Sequence, residues 1–362
     1  MTTEQVSANR FLYIDALRGI AALCVCIQHA NHPIISAMPD GSALRYVLSG
    51  LNDLWFDLGR FGVALFFLIS GFVIPFSLKG DHAVRRFAIS RFFRLYPAYW
   101  LSMVAIILVT YLTRPENFTT FQLIANLTMA PGLLRQDYIS GVYWTLFVEL
   151  LFYAMVVALF GVRLLRNDLP IFAVGIGIVA VPLIGIALRS YGYDAKVFYM
   201  GGHISFLFAG YLLRMTFLKE SRNAKYYAAI LLTAILALMP LLAMQPGSRF
   251  TVSSPSGVFL AGLAATLTFV AANYWRPIPG KILIFLGSTS YSIYLFHIPI
   301  GMALLSMLSP AGYGGAVYFA LLIAGTLSVS AVVYRLVEVP AIAAGRKLMS
   351  ARVERIATEV AL

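Results

Sequence analysis

Long apolar stretches separated by short polar segments run along most of the chain. A helix that crosses the hydrocarbon layer needs roughly 20 mostly apolar residues, and ten stretches approach that length. They are continuous rather than alternating, which argues against a β-barrel. The pattern predicts an all-α integral membrane protein with a bundle of about ten transmembrane helices, and the short apolar piece Phe121–Leu134 predicts a re-entrant or interfacial helix. The predicted spans are 12–29, 61–78, 96–113, 142–160, 169–188, 202–218, 225–243, 256–273, 290–308 and 314–336.

Composition supports the same class of protein. Of the 362 residues, 60% are hydrophobic and only 12% are charged, about half the share of roughly 25% in soluble domains. A soluble enzyme or a disordered chain is therefore excluded. The first span carries Asp15 and Arg18 early and ends without a small-residue cleavage site, so we expect a retained helix rather than a signal peptide. We expect one membrane domain over 1–345 and a short basic tail over 346–362, with no appended soluble domain.

The charge balance predicts the orientation of the bundle. There are 27 Lys and Arg residues against 15 Asp and Glu, a net charge of +12. With the N-terminus in the cytoplasm, 20 of the 27 lie on or near the inner side, as the positive-inside rule requires. We therefore expect both termini in the cytoplasm and the basic loops on anionic lipid. The arginines are dispersed among loops, which excludes a nucleic-acid surface.

The first span carries a polar stripe. At 100° per residue, Asp15, Arg18 and His29 lie on one face of the helix, with Arg18 and His29 roughly 16 Å apart along the axis. An ion pair between Asp15 and Arg18, with His29 at the membrane interface, would explain the stripe structurally. A row facing a cavity would explain it functionally, and ionisable residues inside membranes favour function.

Two later spans carry polar groups of the same kind. Thr145, Glu149 and Tyr153 share one face of the fourth span, and Glu149 is predicted about 10 Å below the outer surface, at a depth comparable to His29. A glutamate satisfied by a neighbouring helix is the structural alternative to an acid–base pair. The ninth span carries Ser290, Tyr294 and His297. Hydrogen bonds between helices would explain these polar residues structurally, and a place in a functional site is the alternative.

Two arginines stand apart from the other basic residues. Arg91 and Arg94 are spaced i, i+3, flanked by aromatic residues, in the loop that enters the third span just before Pro97. The positive charge could serve only to keep this loop on the cytoplasmic side of the membrane. The spacing also places two guanidinium groups side by side at the cytoplasmic mouth of the bundle, and arginine suits bidentate phosphate binding.

These pieces in this order resemble the membrane acyltransferase 3 family, whose members O-acylate bacterial surface glycans and related acceptors. The matching segments run from residue 11 to 340, each weak alone and specific together. The family usually has a second acidic or polar residue after the glutamate, where this chain has Leu150. The segments are Ile14–Ala22 leading to His29, Phe66–Phe72, Arg91–Pro97, Trp144–Tyr153, Leu286–Pro299 and Tyr334–Pro340.

The resemblance implies an acyltransferase of the bacterial inner membrane that uses acyl-CoA, usually acetyl-CoA, as a co-substrate with no bound cofactor. It implies transfer to a hydroxyl of a surface or lipid-linked glycan. It assigns the acyl-transfer chemistry to His29 and donor binding to Arg91 and Arg94, with Arg18 within a matched motif.

The expected mechanism follows from these positions. Neutral His29 would remove the proton of the acceptor hydroxyl, and Glu149 would orient His29 or stabilise the imidazolium. Ser290, Tyr294 or Thr145 could donate to the oxyanion, and the sequence does not choose among them. A transporter or flippase for a glycan or small anionic solute is the alternative, because buried charges in many spans suit one too.

The remaining candidates give weaker signals. No metal site is expected, because the histidines form no ligand set with carboxylates. We expect His32, His82 and His203 to be solvated or interfacial. Acceptor specificity is expected in the outer loops 30–60 and 114–141, which contain Asp53, Trp55, Asp57 and Asp137. The neighbouring cysteines, Cys24 and Cys26, point to different sides of the first span and are not expected to pair.

Overall fold

The computed structural model describes residues 12–78, 80, 82–113, 118–193, 197–245 and 253–360. Within this part of the chain all regular structure is helical, as the pattern of apolar runs predicts. The helices are α1 (Leu12–Ala37), α2 (Ala43–Ser49), α3 (Leu58–Val73), α4 (Ala83–Thr113), α5 (Thr120–Asn126), α6 (Trp144–Gly161), α7 (Asp168–Ser190), α8 (Met200–Phe217), α9 (Ala224–Ala243), α10 (Pro255–Trp275), α11 (Lys281–Met307), α12 (Tyr313–Val333) and α13 (Val339–Val360).

The predicted helical membrane bundle is confirmed. In the described residues, nine candidate spans are long and apolar enough to cross a membrane. The predicted span that is missing from these nine is the sixth, 202–218. It corresponds to α8, which has 18 residues but carries His203 and Arg214. Fifteen of those 18 residues are buried, so α8 lies inside the bundle and its polar side chains face protein rather than lipid.

Two predicted boundaries are corrected. Helix α1 does not end at residue 29 but continues through Pro33 to Ala37, because neighbouring helices can satisfy the backbone groups that a proline leaves open. Helix α4 begins at Ala83, so Arg91 and Arg94 lie on a helix rather than in a loop. Residues 83–94 contain no glycine or proline that would stop the helix.

The short apolar piece Phe121–Leu134 forms two short helical elements and does not form a membrane span. Helix α5 covers seven residues and is followed by a 3₁₀ turn at Pro131–Leu134. Many of its apolar side chains are exposed, among them Phe121, Ile124 and Leu133. Exposed apolar side chains on so short an element are compatible with an interfacial position.

Helix α1 lies at the centre of the site because small residues let its neighbours approach closely. A Cβ on Gly19 would lie 2.6 Å from the backbone of Gly287 on α11, and a Cβ on Gly287 would lie 2.3 Å from the carbonyl oxygen of Asp15. Small residues at such crossings are typical of membrane helix pairs. Helices α1, α3 and α11 therefore pack closely, and α6 contributes side chains beside them.

Candidate active site

A polar cavity of about 240 Å³ surrounds His29. Helices α1, α3, α6 and α11 and the segments before α3 and α6 contribute to its wall. Five of the side chains that line it, four ionisable and one amide, were not expected beside His29 from the sequence. The lining residues with polar side chains are Gln28, His29, His32, Asp53, Asp57, Arg60, Trp144, Ser253 and Tyr294.

The ring of His29 is held by hydrogen bonds on one nitrogen. Its Nδ1 lies 3.0 Å from the carbonyl oxygen of Val25 and 3.2 Å from Nε2 of His297. His297 Nδ1 lies 3.1 Å from the carbonyl oxygen of Ile293. A carbonyl can only accept, so Nδ1 of each ring carries the proton and Nε2 of His297 accepts from His29. This leaves Nε2 of His29 unprotonated, which is the form that a general base requires.

The predicted hydroxyl candidates lie beside the cavity, but their protons are engaged. The hydroxyls of Thr145 and Tyr294 lie 2.7 Å apart, and both lie within 3.0 Å of the carbonyl oxygen of Val142. Ser290 donates to the carbonyl oxygen of Gly287 at 2.8 Å. The structure therefore brings Thr145 and Tyr294 to the histidine pair and places Ser290 further along the helix.

A narrow apolar cleft of about 20 Å³ continues from this cavity. It shares Val25, Val63 and Tyr294 with the His29 cavity and extends to Ala21 and Ser290. Ala21 lies two helical turns before His29 on α1, toward Arg18. The cleft thus leads along α1 from the histidine pair toward the arginines.

The arginines at the other end lie on adjacent turns of α4. Arg91 donates to the hydroxyl of Ser77 at 2.6 Å, and its guanidinium lies 5.4 Å from the ring of Phe87 and 5.7 Å from that of Tyr153. Among the described residues, no carboxylate lies within ion-pair distance of Arg91 or Arg94. Both side chains therefore keep hydrogen-bonding capacity for an anion.

Arg18 and Glu149 belong to this arginine end of the site. Arg18 lies 3.5 Å from Asp15, as the structural explanation of the stripe predicts, and it interacts electrostatically with Arg94 and Glu149. Glu149, which is 5% exposed, accepts from Tyr153 at 2.6 Å and from Ser70 at 3.3 Å.

The expected pair of His29 with Glu149 is therefore wrong in its geometry. Among the described residues, His29 bonds to Val25 and His297 instead. Helical periodicity correctly predicted that Glu149 and Tyr153 share one face of α6, since the carboxylate of Glu149 accepts from the hydroxyl of Tyr153, four residues further along the helix. The depth at which α6 packs against α1 depends on the other helices and was not available from either helix alone.

A buried network that the sequence analysis missed supports the cavity. The side-chain nitrogen of Gln28 lies 3.0 Å from Oδ1 of Asp53 and 3.0 Å from Oδ1 of Asp57. Asp57 also caps α3 by accepting from the backbone nitrogen of Arg60 at 2.7 Å. Asp53 and Asp57 were expected in an outer loop that sets acceptor specificity, and the only sequence signal for their burial was their place just before an apolar run.

Two histidines expected to be solvated or interfacial line cavities instead. His32 lies within the extended α1, 3.7 Å from Asp53. His203, 4% exposed, lies 3.3 Å from Arg60, and its ring centroid is 4.8 Å from that of Trp144. His203 also lines a second cavity, of about 370 Å³, which shares Arg60, Gly141 and Trp144 with the first.

The fold and the site together define a multi-pass membrane protein with a polar cavity around a histidine pair, an apolar cleft that extends from it along α1, and two arginines on α4. A family model described as an acyltransferase domain matches residues 11–335 of the chain. The chain belongs to the acyltransferase 3 family, as its motifs indicate.

Two curated relatives cover most of the chain. A putative acetyltransferase, ORF330, of Acidianus two-tailed virus is 23% identical over 297 residues, which span 79% of this chain and 82% of the viral protein. Nodulation protein 10 of Rhizobium leguminosarum bv. viciae is 26% identical, over 97% of this chain and 98% of the relative. No solved structure gives a significant match.

Proposed function

We propose that this membrane acyltransferase moves an acyl group, most simply acetyl, from cytoplasmic acyl-CoA to a hydroxyl of a surface or lipid-linked glycan. The observation that carries the proposal is the histidine pair. His29 keeps its proton on Nδ1, which donates to the carbonyl oxygen of Val25 and to Nε2 of His297, and its Nε2 is therefore left as a base in a cavity of about 240 Å³. Membership of the family and the acetyltransferase named among the relatives support the reaction class.

The donor would bind from the arginine end. Its phosphates would interact with Arg91 and Arg94, which have no carboxylate partner among the described residues, and Arg18 would add a third positive charge. Arg18 and His29 are eleven residues apart on α1, or about 16 Å. The pantetheine arm would follow the apolar cleft between them, with its thioester at His29. The cleft is narrow and would have to widen around the arm.

Glu149 takes a different role from the expected one in this proposal. It holds the hydroxyl of Tyr153 and interacts with Arg18, so it would position the donor end rather than the base. His29 would remove the acceptor proton, and the two carboxylates of the cavity wall, Asp53 and Asp57, would stabilise the imidazolium that forms. Asp57 interacts electrostatically with His29.

The acceptor would reach His29 from the opposite face, through the two cavities that meet at Trp144 and Arg60. Asp, Gln and Arg side chains beside an aromatic ring suit a polyhydroxylated molecule. The positive-inside bias places this face outside the cytoplasm. A bacterial inner membrane is the proposed location, with the glycan modified on its outer surface.

The test compares surface glycans from cells with and without the gene by mass analysis for loss of an acetyl group. His29→Asn should abolish the modification. His82→Asn is the matched control, because His82 is exposed in the turn before α4, and it should keep the modification. Full acetylation by a folded His29→Asn protein would reject the base. If no acyl group depends on the gene, a transporter becomes the better proposal.

A further inference from the structure

A single arginine faces the reaction cavity. Arg60 is the only lysine or arginine among the described residues that line the His29 cavity, and it lines the second cavity as well. Its guanidinium interacts electrostatically with His29 and Tyr294. A charged side chain inside a membrane bundle is costly and is retained by default for function. The donor arginines lie elsewhere, so Arg60 needs an explanation of its own.

Arg60 is fixed from two sides. Its Nε lies 3.5 Å from Oδ2 of Asp57, and its Nη1 lies 3.3 Å from Nε2 of His203. Asp57 is 1% exposed, and it is itself held by Gln28 and by its capping bond to α3. A cation held in place before the reaction stabilises developing charge without reorganisation at that moment.

Among the described residues beside the cavity, the candidate hydroxyls are poor donors for an oxyanion. The hydroxyl protons of Thr145, Tyr294 and Ser290 are each engaged with a backbone carbonyl or with one another. An oxyanion would have to break one of those bonds to be stabilised by it. Trp144 carries one neutral N–H on its indole. The guanidinium of Arg60 carries a full positive charge and five N–H groups, of which those on Nε and Nη1 face Asp57 and His203.

We propose that Arg60 is a catalytic residue that stabilises the oxyanion formed during acyl transfer, with Asp57 as its positioning residue. This inference rests on the proposed function. The acceptor oxygen bonds to the thioester carbonyl carbon while its proton moves to Nε2 of His29. The π electron pair of the carbonyl moves to the carbonyl oxygen, which becomes the oxyanion beside Arg60. That pair then re-forms the carbonyl of the new ester as the carbon–sulfur bond breaks, and the proton on His29 passes to the CoA thiolate.

The experiment measures binding of two stable donor analogues to the full chain in lipid nanodiscs, so no acceptor is needed. Acetonyl-CoA mimics the ground state of the donor. Trifluoroacetonyl-CoA forms a hydrate that mimics the tetrahedral intermediate. The wild-type protein should bind the trifluoro compound at least about 10²-fold more tightly, as transition-state analogues do. The measured quantity is the ratio of the two dissociation constants.

Arg60→Met should remove that preference, a loss of about 10²-fold for one oxyanion donor, and leave the affinity for acetonyl-CoA unchanged. Unchanged acetonyl-CoA binding also shows that the variant is folded. Arg60→Lys should keep part of the preference, because it keeps the charge without the planar fork. Asp57→Asn keeps an oxygen for the cap of α3 and should reduce the preference by less than Arg60→Met. Arg45→Met is the matched control, because Arg45 pairs with Asp40 at the surface, and should change neither constant.

The possible results separate the role of Arg60 from the existence of an oxyanion site and from the proposed function. A wild-type preference that Arg60→Met retains overturns the role of Arg60 and points to Trp144, while the proposed function stands. Equal binding of both analogues by the wild-type protein overturns any oxyanion site in this cavity. If the wild-type protein binds neither compound, the acyl-CoA donor and the proposed function fail together with this inference.

Discussion

Replacing Gln28 by leucine should destabilise the protein because two buried carboxylates lose a hydrogen-bond donor, and not because the substitution opens a cavity. Gln28 is 9% exposed, and its amide nitrogen contacts Oδ1 of Asp53, Oδ1 of Asp57 and the carbonyl oxygen of Asn52. An amide has two protons, so both are committed, and two of the three acceptors are carboxylates. Leucine nearly fills the same volume, so the change isolates the loss of those bonds.

The magnitude follows from that geometry. Hydrogen bonds to charged groups each contribute about 1.5–3 kcal/mol, so two of them set an upper range of about 3–6 kcal/mol. Asp57 retains its bonds to the backbone of Arg60 and to Ser253, and Asp53 retains its bond from Asn52. These remaining bonds favour the lower end, a loss of about 3 kcal/mol in the free energy of unfolding.

The assay uses the two cysteines of α1 as reporters. Cys26 is 1% exposed and both cysteines are free, so a thiol-reactive fluorescent dye labels them as the detergent-solubilised protein unfolds on heating. Gln28→Leu should lower the midpoint by on the order of 5 °C. Gly59→Ala should lower it too, because its Cβ would lie 1.6 Å from Oε1 of Gln28.

Gln122→Leu is the matched control for the loss of a glutamine. Gln122 is partly exposed on α5, and its side chain reaches the carbonyl oxygen of Asp137 at only 3.4 Å. Substitutions near the surface and outside buried networks usually change stability by less than about 0.5 kcal/mol. A Gln28→Leu midpoint equal to that of the wild-type and Gln122→Leu proteins would refute the reasoning, because the amide would then not hold the two carboxylates together.

Two further predictions concern the two ends of the site. His297→Gln should lower kcat about tenfold with little change in the KM of acetyl-CoA, because it removes one neutral hydrogen bond of about 0.5–1.5 kcal/mol that orients His29, while the hydrogen bond to Val25 remains. Initial rates of CoA release measure kcat and KM, and an unchanged kcat would remove His297 from the mechanism. Arg91→Gln and Arg94→Gln should each raise the KM of acetyl-CoA at least about tenfold through loss of a charged hydrogen bond. The control is Arg163→Gln, because Arg163 is exposed in the turn after α6, and a KM equal to that of the control would reject phosphate binding by Arg91 and Arg94.

The helical architecture was predictable because lipid leaves the chain few alternatives. Backbone groups in hydrocarbon must be satisfied within the segment, so each span leaves a long apolar run such as 169–188, which the structure extends only to Asp168–Ser190. Helix ends were less predictable. The predicted first span ended at residue 29, but α1 continues through Pro33 to Ala37, since packing against other helices compensates for a proline.

The sequence by itself determined the class of protein, its family motifs and the stripe that carries Asp15, Arg18 and His29, because helical periodicity and hydropathy are local properties. Only the tertiary structure decided the partners across the bundle. His297, 268 residues from His29, contacts it, whereas Glu149 accepts from Tyr153 and Ser70. Depth and rotation of one helix against another follow from close packing of all of them, which no single helix encodes.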